Sequence, residues 1–485
     1  MSYLLKKNEK KNLAIFFGLS FIFIYPLLHF GVYFRDDLDR SVTGFYGWSY
    51  LGRPLADFVA AFLSSSDNKL LDIFPYNLII CCALLALACL HLKRMLVSYN
   101  ARCPAFIASL IIFNPFMLQN LAYKYDSVGM TLALLLSVLS YTFSHSNQKI
   151  SILIKISFGV AALSLYQPCV NFYLGMMSIE SALIFSKSKY KFENYLLIML
   201  KKGLVFVTFY AVYFLTIARF YGANNKRSQT ISLDSDGYTS ILTSFSRLNN
   251  LIEQFMHGQV VTYFYLPATL LIIAAIVILA KNKAILFSKS MILICTALIF
   301  YISLLGPTIL LKNAPVFSRT LVSFPCLLVI STIIYTTYFD KLKFATLLPV
   351  ITIVSFSSQF ANAIHEQREQ ENMVLNMVTY DLLNLPNIKE IKTFGSINYS
   401  ERSELIASER PLVNQSLSRA SEFLATFQLQ NKGLIGVSVG YGIEKKNGLM
   451  LEEFIRENIK PIIKNSEYSI YVKNDIAIVV FGNSR

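Results

Sequence analysis

The chain has 485 residues, of which 54% are hydrophobic and only 15% charged, whereas soluble domains carry about 25% charged residues. This composition excludes an ordinary soluble protein and predicts a polytopic membrane protein. A net charge of +15 would suit nucleic-acid binding, but the basic residues gather mostly in alternate loops, which is the pattern of cytoplasmic loops. We therefore predict that the protein binds no nucleic acid and that it is embedded in the lipid bilayer.

Apolar runs in the sequence predict about eleven transmembrane helices, because each is of a length that can cross a bilayer or nearly so. Four lysines before the first run place the N-terminus in the cytoplasm, and an odd number of spans places the C-terminus outside. The predicted spans are Leu13–Phe34, Ile73–His91, Pro104–Leu121, Ser127–Phe143, Ile152–Leu165, Cys169–Phe185, Leu196–Phe220, Val260–Ala280, Met291–Leu305, Leu321–Phe339 and Phe344–Ala361.

The fold class is therefore a mainly α-helical polytopic membrane protein with a small C-terminal α/β domain outside the membrane. The membrane domain covers residues 1–362 and has long external loops at 35–72, 219–258 and 306–320, and the second domain covers 363–485. In that domain the pattern predicts helices His365–Leu383 and Arg402–Gln428, and strands Glu390–Ile397, Leu434–Val439, Tyr468–Val472 and Ile476–Phe481.

Two of the external loops contain stretches with the spacing of amphipathic helices. Pro54 opens the first, in which Leu55, Phe58, Val59 and Phe62 recur at helical spacing. The second lies between Gly237 and Gly258. Both are predicted to lie along the outer leaflet.

The first external loop begins with the charged run Arg35-Asp36-Asp37-Leu38-Asp39-Arg40, directly after the first span. If this run is helical, Asp36 shares a face with both Asp39 and Arg40. Charge beside hydrocarbon is costly, so such groups pair, remain solvated or do chemistry. One of the carboxylates could deprotonate a hydroxyl next to a lipid-borne donor. The alternative is an ordinary cluster of ion pairs at the headgroups.

Cations near the outer ends of the spans indicate a phosphate ligand, because the bias of basic residues toward the cytoplasm disfavours them there. Arg319 is the strongest phosphate-ligand candidate, since it opens an apolar helix and its charge must lie at the rim. The alternative is ion pairing with Asp36, Asp37 or Asp126. These cations are Arg53, Lys124, Arg219, Lys312 and Arg319.

Two further turns place polar side chains at the same depth, where a sugar could bind. One is Tyr123-Lys124-Tyr125-Asp126-Ser127 and the other is Tyr166-Gln167-Pro168. Helix capping and interfacial anchoring are the alternative explanation. Glu180, inside the sixth span, is either a functional carboxylate or a structural group satisfied by a partner.

These motifs together resemble the phage-encoded O-antigen glucosyltransferases that convert bacterial serotype, the type II glucosyl transferase family. The resemblance in organisation covers nearly the whole membrane portion, whereas the chain after about residue 380 offers little to match. The motifs, in chain order, are Asp36-Asp37 with Arg40, Gly47-Trp48, Gly52-Arg53-Pro54, Tyr125-Asp126, Tyr166-Gln167-Pro168 and Arg319.

The resemblance implies a GT-C type enzyme of the bacterial inner membrane that takes glucose from undecaprenyl-phosphate-glucose on the periplasmic side. Its acceptor would be a sugar of the lipopolysaccharide O-antigen, commonly rhamnose. The implied protein partners are a flippase for the lipid-linked sugar and the synthase that makes the donor. A monophosphate leaving group can be served by arginine and lysine, so we predict no cofactor and no metal.

The predicted roles fall into three groups. Asp36 or Asp37 accepts the proton of the acceptor hydroxyl. The donor phosphate is bound by Arg319, Lys124, Arg53 and Lys312. The sugars are bound, or the site is organised, by Arg40, Asp39, Trp48, Tyr125, Asp126, Tyr166 and Gln167.

Three other functions remain open from the sequence. A flippase for a lipid-linked sugar would also have many spans and outer cations, although we find no repeated halves of the kind transporters show. A non-enzymatic envelope scaffold would leave the acidic run unexplained. A GT-C enzyme could also use another sugar or another acceptor.

Overall fold

A computed structural model describes residues 7–187, 191–222, 229–232 and 234–482. Part of the predicted external loop 219–258, namely 223–228 and 233, therefore lies outside the described residues. The helices up to the last span are α1 Lys7–Phe30, α2 Asp37–Thr43, α3 Pro54–Ser64, α4 Tyr76–Ser98, α5 Pro104–Ser109, α6 Leu118–Ala122, α7 Ser127–Thr142, α8 Gln148–Leu165, α9 Asn171–Ser186, α10 Phe192–Tyr213, α11 Arg219–Tyr221, α12 Ser235–Phe255, α13 Val260–Lys281, α14 Leu286–Leu305, α15 Cys326–Thr336 and α16 Leu347–Leu383.

Nine helical segments in the described ranges are long and apolar enough to cross a membrane. Together with the shorter apolar helices α7 and α15, they match the eleven predicted spans and confirm the predicted fold class. The third span is broken into α5 and α6, because Pro115 interrupts it. Asn114 caps the break by accepting a hydrogen bond from the Phe116 N–H at 3.1 Å.

The two predicted amphipathic helices are present as α3 and α12. In α3 the predicted apolar residues Phe58 and Phe62 face outward, while Ala56 and Ala60 are buried against the bundle. This arrangement suits a helix whose outer face meets lipid. Helix α12 buries the apolar residues Leu248, Leu251 and Phe255.

Helix α16 joins the last span to the C-terminal region without a break. The sequence predicted a span and a separate following helix, but the structure has one helix of 37 residues. Its second half is polar on one face and packs Val374, Leu375 and Val378 into the core of the C-terminal region. The C-terminal region therefore stands on a rigid extension of the bundle.

The C-terminal region, referred to below as the tail, contains helices around a four-stranded sheet of order β1-β4-β3-β2, in which β1 and β4 are parallel. The predicted helix Arg402–Gln428 is wrong as a single element, because Pro411 interrupts it and a non-helical segment follows. The predicted strand Leu434–Val439 makes only one bridge, between Val437 and Ile391. The elements are α17 Glu401–Glu409, α18 Pro411–Asn414, α19 Glu422–Asn431, α20 Glu444–Arg456, β1 Glu390–Phe394, β2 Ile463–Lys464, β3 Tyr468–Lys473 and β4 Ile476–Phe481.

The tail packs directly against the turn that follows α1. Arg35 donates from Nε to the Ser418 hydroxyl at 3.0 Å and from Nη2 to the Gln415 carbonyl at 2.6 Å. Leu412 and Val413 belong to the same hydrophobic core as the membrane helices. The predicted acidic run thus lies at the junction of bundle and tail.

Candidate active site

Asp37 fixes the backbone around the predicted acidic run. It is fully buried, and its carboxylate accepts hydrogen bonds from three backbone N–H groups: Phe34 at 3.0 Å, Lys124 at 2.9 Å and Tyr125 at 3.4 Å. Burial raises the pKa of Asp37 to about 8, against the lowering effect of these amides. The carboxylate therefore ties the end of α1 to the turn before α7 and has no surface with which to reach a substrate.

Replacement of Asp37 by Asn is expected to destabilise the protein by about 1–3 kcal/mol, because the new amide N–H₂ would face a backbone N–H in a buried site. Thermal unfolding in detergent measures the change. Asp39→Asn, on the same helix, is the matched control, since its partly buried carboxylate accepts the Thr43 hydroxyl at 3.2 Å and no backbone N–H group in the described chain. Equal melting temperatures for both variants would refute the anchoring role.

Asp36 differs from its neighbour in being exposed. Among the residues that the structure describes, its carboxylate accepts no hydrogen bond and makes no ion pair within 4 Å. It occupies the position just before α2, where the backbone C=O of Asp36 accepts the Arg40 N–H at 3.2 Å. Of the two carboxylates that the sequence offered as bases, Asp36 is therefore the one whose oxygens are available to a substrate.

The surroundings of Asp36 raise its pKa. Desolvation by nearby protein atoms is the main cause of the higher pKa, and the negative charge of Asp126 adds to it. The positive charges of Arg319, Arg40 and Arg35 oppose both. A carboxylate that is partly desolvated and close to a second one is a better proton acceptor than a free aspartate.

Arg319 lies close enough to Asp36 for the two charges to interact. Its backbone N–H is held by the Gln119 side chain at 2.9 Å, and its Nη1 donates to the Tyr123 hydroxyl at 2.9 Å. The charges of Asp36 and Asp126 both act on its guanidinium, yet no ion pair within 4 Å joins it to either in the described structure. The cation and the carboxylate are thus neighbours without direct pairing in the described chain.

A second arginine is fixed close to the first. The Nε of Arg53 donates to Gln167 Oε1 at 2.5 Å, and its guanidinium lies 4.7 Å from the Tyr166 ring centroid. Gln167 in turn donates to the Leu51 carbonyl at 3.1 Å and to the Tyr213 hydroxyl at 3.0 Å. The structure therefore brings together Arg53, Tyr166 and Gln167, which the sequence had placed in separate turns.

Asp126, Trp48 and Arg40 form a third part of the site. Asp126 Oδ1 accepts the indole N–H of Trp48 at 2.6 Å, and its other oxygen lies 3.9 Å from Arg40 Nε. Arg40 stacks over the Trp48 ring at 3.7 Å and donates to the carbonyls of Phe45 and Tyr46. The direct Asp36–Arg40 pair that helical spacing allowed is absent from the described ion pairs, because Arg40 turns toward the indole.

Two of the predicted phosphate ligands, Lys124 and Lys312, differ from the arginines in their surroundings. Lys124 Nζ is 3.4 Å from Asp72 and lies over the Tyr33 ring at 3.9 Å, so its charge is already neutralised. Tyr125 stacks on the same Tyr33 ring at a centroid distance of 6.4 Å. Lys312 is exposed, and its backbone pairs with Gln229 at 2.9 Å. The structure therefore favours Arg319 and Arg53 over both lysines.

A hollow opens between α3 and α7, and the space within it, counted together with the open solvent at its mouth, is about 510 Å³. Most of its wall is apolar. The polar lining residues are Arg53, Ser64, Lys124 and Asp126, accompanied by Trp48, Tyr125 and Tyr166. Apolar surface and charged groups are therefore neighbours in this hollow.

Several residues that build the site were not predicted. Asp57 accepts the N–H groups of Trp48 at 2.9 Å and Ser49 at 2.7 Å and so shapes that turn. Gln119 and Tyr123 hold Arg319 through contacts about 200 positions apart in sequence. No local sequence pattern predicts such contacts, although the polar residue Gln119 inside an apolar run indicated a buried polar contact.

Glu180 is paired, in agreement with the structural alternative. Its carboxylate accepts from the hydroxyls of Tyr99 and Tyr141 and lies 3.8 Å from Lys202 Nζ. It is nine residues beyond the start of α9, or about 13 Å along the helix. Within the described ranges no three His, Cys, Asp or Glu side chains come together as a potential metal site.

Comparison with known proteins finds a family whose model matches the chain. Residues 25–336 match the family model described as "Glucosyl transferase GtrII". The chain is also 28% identical over 428 residues to an "Uncharacterized 55.3 kDa protein in gtrB 5'region" of Salmonella phage P22, covering 85% of this chain and 87% of that protein. No solved structure matches the chain.

Proposed function

The chain is a glycosyltransferase of the GtrII glucosyl transferase family, and from this premise we propose that it moves glucose from undecaprenyl-phosphate-glucose to an O-antigen sugar at the periplasmic face of the inner membrane. The observation that carries the proposal is an exposed carboxylate, Asp36, close enough to the Arg319 guanidinium for their charges to interact, although the two make no ion pair within 4 Å in the described structure. A sugar hydroxyl and a lipid phosphate are the groups that such a carboxylate and such a cation can serve.

The hollow between α3 and α7 supports a lipid-linked donor. Its largely apolar wall would contact part of a polyprenyl chain, and Arg53 in its lining would meet the phosphate. Arginine suits this role because its planar guanidinium can hold two phosphate oxygens at once. Arg319 and Arg53 are thus the proposed phosphate ligands.

The distribution of basic side chains supports a periplasmic site. The site lies where α1 ends and α4 begins, whereas the opposite ends of the bundle are rich in lysine and arginine. There Arg102 pairs with Asp340 at 3.3 Å, and Lys343 lies 3.2 Å from the Cys103 sulfur. By the positive-inside rule the basic end is cytoplasmic, so the site and the tail would face the periplasm.

The proposed reaction is a single displacement at the anomeric carbon of glucose. The acceptor oxygen forms a bond to C1 while the bond from C1 to the phosphate oxygen breaks, and that electron pair leaves with the phosphate. Asp36 takes the proton of the acceptor hydroxyl. Arg319 stabilises the charge that grows on the departing phosphate. Attack opposite the phosphate converts a β-linked donor into an α-glucoside.

The pH dependence of transfer should report on Asp36, because the protonated acid cannot accept a proton. Activity is therefore lost as the pH falls through the pKa of Asp36, which lies above that of a free aspartate. Asp126→Asn removes a nearby negative charge that raises this pKa but keeps an oxygen for Trp48, so the acidic limb should move to lower pH.

The profile of kcat/KM against pH measures this shift, with Asp67→Asn, a surface carboxylate in the same loop, as the matched control. The control should leave the limb in place. An acidic limb that Asp126→Asn does not move, or moves to higher pH, would contradict the assignment of Asp36 as base.

The experiment that tests the proposed function uses purified full-length protein in detergent, undecaprenyl-phosphate-glucose and a lipid-linked O-antigen acceptor. The proposal predicts a new glucosidic bond, in the α configuration, detected by mass spectrometry and NMR. A flippase or an envelope scaffold would form no such bond, and its absence with an intact donor and acceptor would refute the proposal. A product that contains another sugar would show that the donor carries that sugar instead of glucose.

A further inference from the structure

The tail places an aromatic side chain beside the carboxylates of α2. The Tyr441 hydroxyl lies beside the Asp39 carboxylate, and the charges of Asp36 and Asp39 both act on it. Burial and these carboxylates raise the pKa of Tyr441 to about 12. The phenol is therefore neutral and can donate a hydrogen bond to an acceptor near it.

Tyr441 and Phe423 form a ring pair at this place. Their centroids are 4.3 Å apart with an interplanar angle of 35°. Tyr441 remains 63% exposed and Phe423 is only partly buried. An exposed apolar patch with polar groups at its rim is typical of a ligand-binding groove or an interaction site.

The backbone of the tail holds this pair in position. Gly440 and Gly442, on either side of Tyr441, have φ of +144° and +75°, a region that disfavours residues with a Cβ. Helix α19, which carries Phe423, is joined to α2 by a hydrogen bond of 2.9 Å from Asn431 Nδ2 to the Ser41 hydroxyl. The ring pair is thus attached to the same short helix that follows Asp36.

We infer that Tyr441, supported by Phe423, is the platform on which the acceptor sugar stacks as it presents its hydroxyl to Asp36. This inference rests on the proposed function and assigns to the tail the recognition of a pyranose ring within a polysaccharide. Tyr441 is a specificity-determining residue that contacts the acceptor and takes no part in proton transfer.

The chemistry of the surface suits a sugar ring. One face of a pyranose carries C–H groups that pack on an aromatic ring, while its hydroxyls point outward to acceptors such as Asp39. The platform lies on the tail side of Asp36, whereas the hollow for the donor lies between α3 and α7. Donor and acceptor would therefore approach Asp36 from different elements of the protein.

The test measures initial rates of glucose transfer with the donor and the acceptor varied separately. Tyr441→Ala should raise the KM for the acceptor about three- to tenfold, the effect of losing one aromatic stacking contact, and leave the KM for the donor unchanged. Tyr441→Phe should stay close to wild type, because the ring remains. Tyr380→Ala, which removes an equally exposed tyrosine from α16, is the matched control and should change neither constant.

Two results would overturn the inference: an unchanged acceptor KM in Tyr441→Ala, or a loss in Tyr441→Phe as large as in Tyr441→Ala, which would make the hydroxyl rather than the ring responsible. In either case a wild-type protein that forms the glucosidic bond keeps the proposed function intact. A wild type that forms no bond refutes the proposed function itself, and the platform with it.

Discussion

Asp36→Asn is expected to lower kcat for glucose transfer by about 10²–10⁴-fold, the usual contribution of a general base. The replacement keeps the size of the side chain and removes only its ability to accept a proton. Because the Asp36 side chain is exposed and its carboxylate makes no hydrogen bond within the described structure, the thermal stability and the KM for the donor should stay near those of wild type. Steady-state kinetics on purified protein, together with a melting curve, measure both effects.

Asp67→Asn is the matched control for this loss, since it removes the same charge from an exposed position in the same loop. It should retain kcat within a few-fold of wild type. If Asp36→Asn kept full activity, or if Asp67→Asn lost as much, the acceptor proton would have to go elsewhere. Comparison with the melting temperature of Asp37→Asn shows whether a loss of activity in these variants comes from a loss of stability.

Arg319→Ala is expected to lower kcat by about 10²–10³-fold, comparable to the loss of one preorganised donor to a developing negative charge. It should also weaken donor binding, because the ground-state phosphate is already charged. Arg319→Lys should recover part of the activity, since it keeps the charge but loses the planar guanidinium that can hold two oxygens.

Lys312→Ala is the control for the arginine, because it removes an outer cation that is exposed to solvent and paired only through its backbone in the described structure. Its kinetics should match wild type. Unchanged turnover and unchanged donor affinity in Arg319→Ala would exclude Arg319 as the phosphate ligand. A large loss of activity in Lys312→Ala would instead identify Lys312 as a phosphate ligand.

The membrane helices could be predicted from sequence because long apolar runs have few alternatives in a bilayer. The tail was harder, since its helices are short and gain their stability from packing. The 37 residues of α16 were divided in two, because the change from apolar to polar composition after Ala361 resembles a boundary although the backbone continues. Pro411 indicated the helix break that the prediction overlooked.

The sequence located the main parts of the candidate site but could not rank its residues. Asp36 and Asp37 are identical in type and adjacent, and only the three-dimensional structure shows that Asp37 accepts three backbone N–H groups while Asp36 accepts none in the described chain. The contacts of Arg319 with Tyr123, and of Tyr441 with Asp39, join residues about 200 and 400 positions apart, which no periodicity encodes.

The most direct measurement is a structure of the full-length protein with undecaprenyl-phosphate-glucose bound. The proposed mechanism predicts that a phosphate oxygen accepts a hydrogen bond from the Arg319 guanidinium, and that the Asp36 carboxylate lies across the anomeric carbon from the phosphate. A phosphate bound at the opposite, basic end of the bundle, or a glucose ring with Asp36 and the phosphate on the same face, would contradict it.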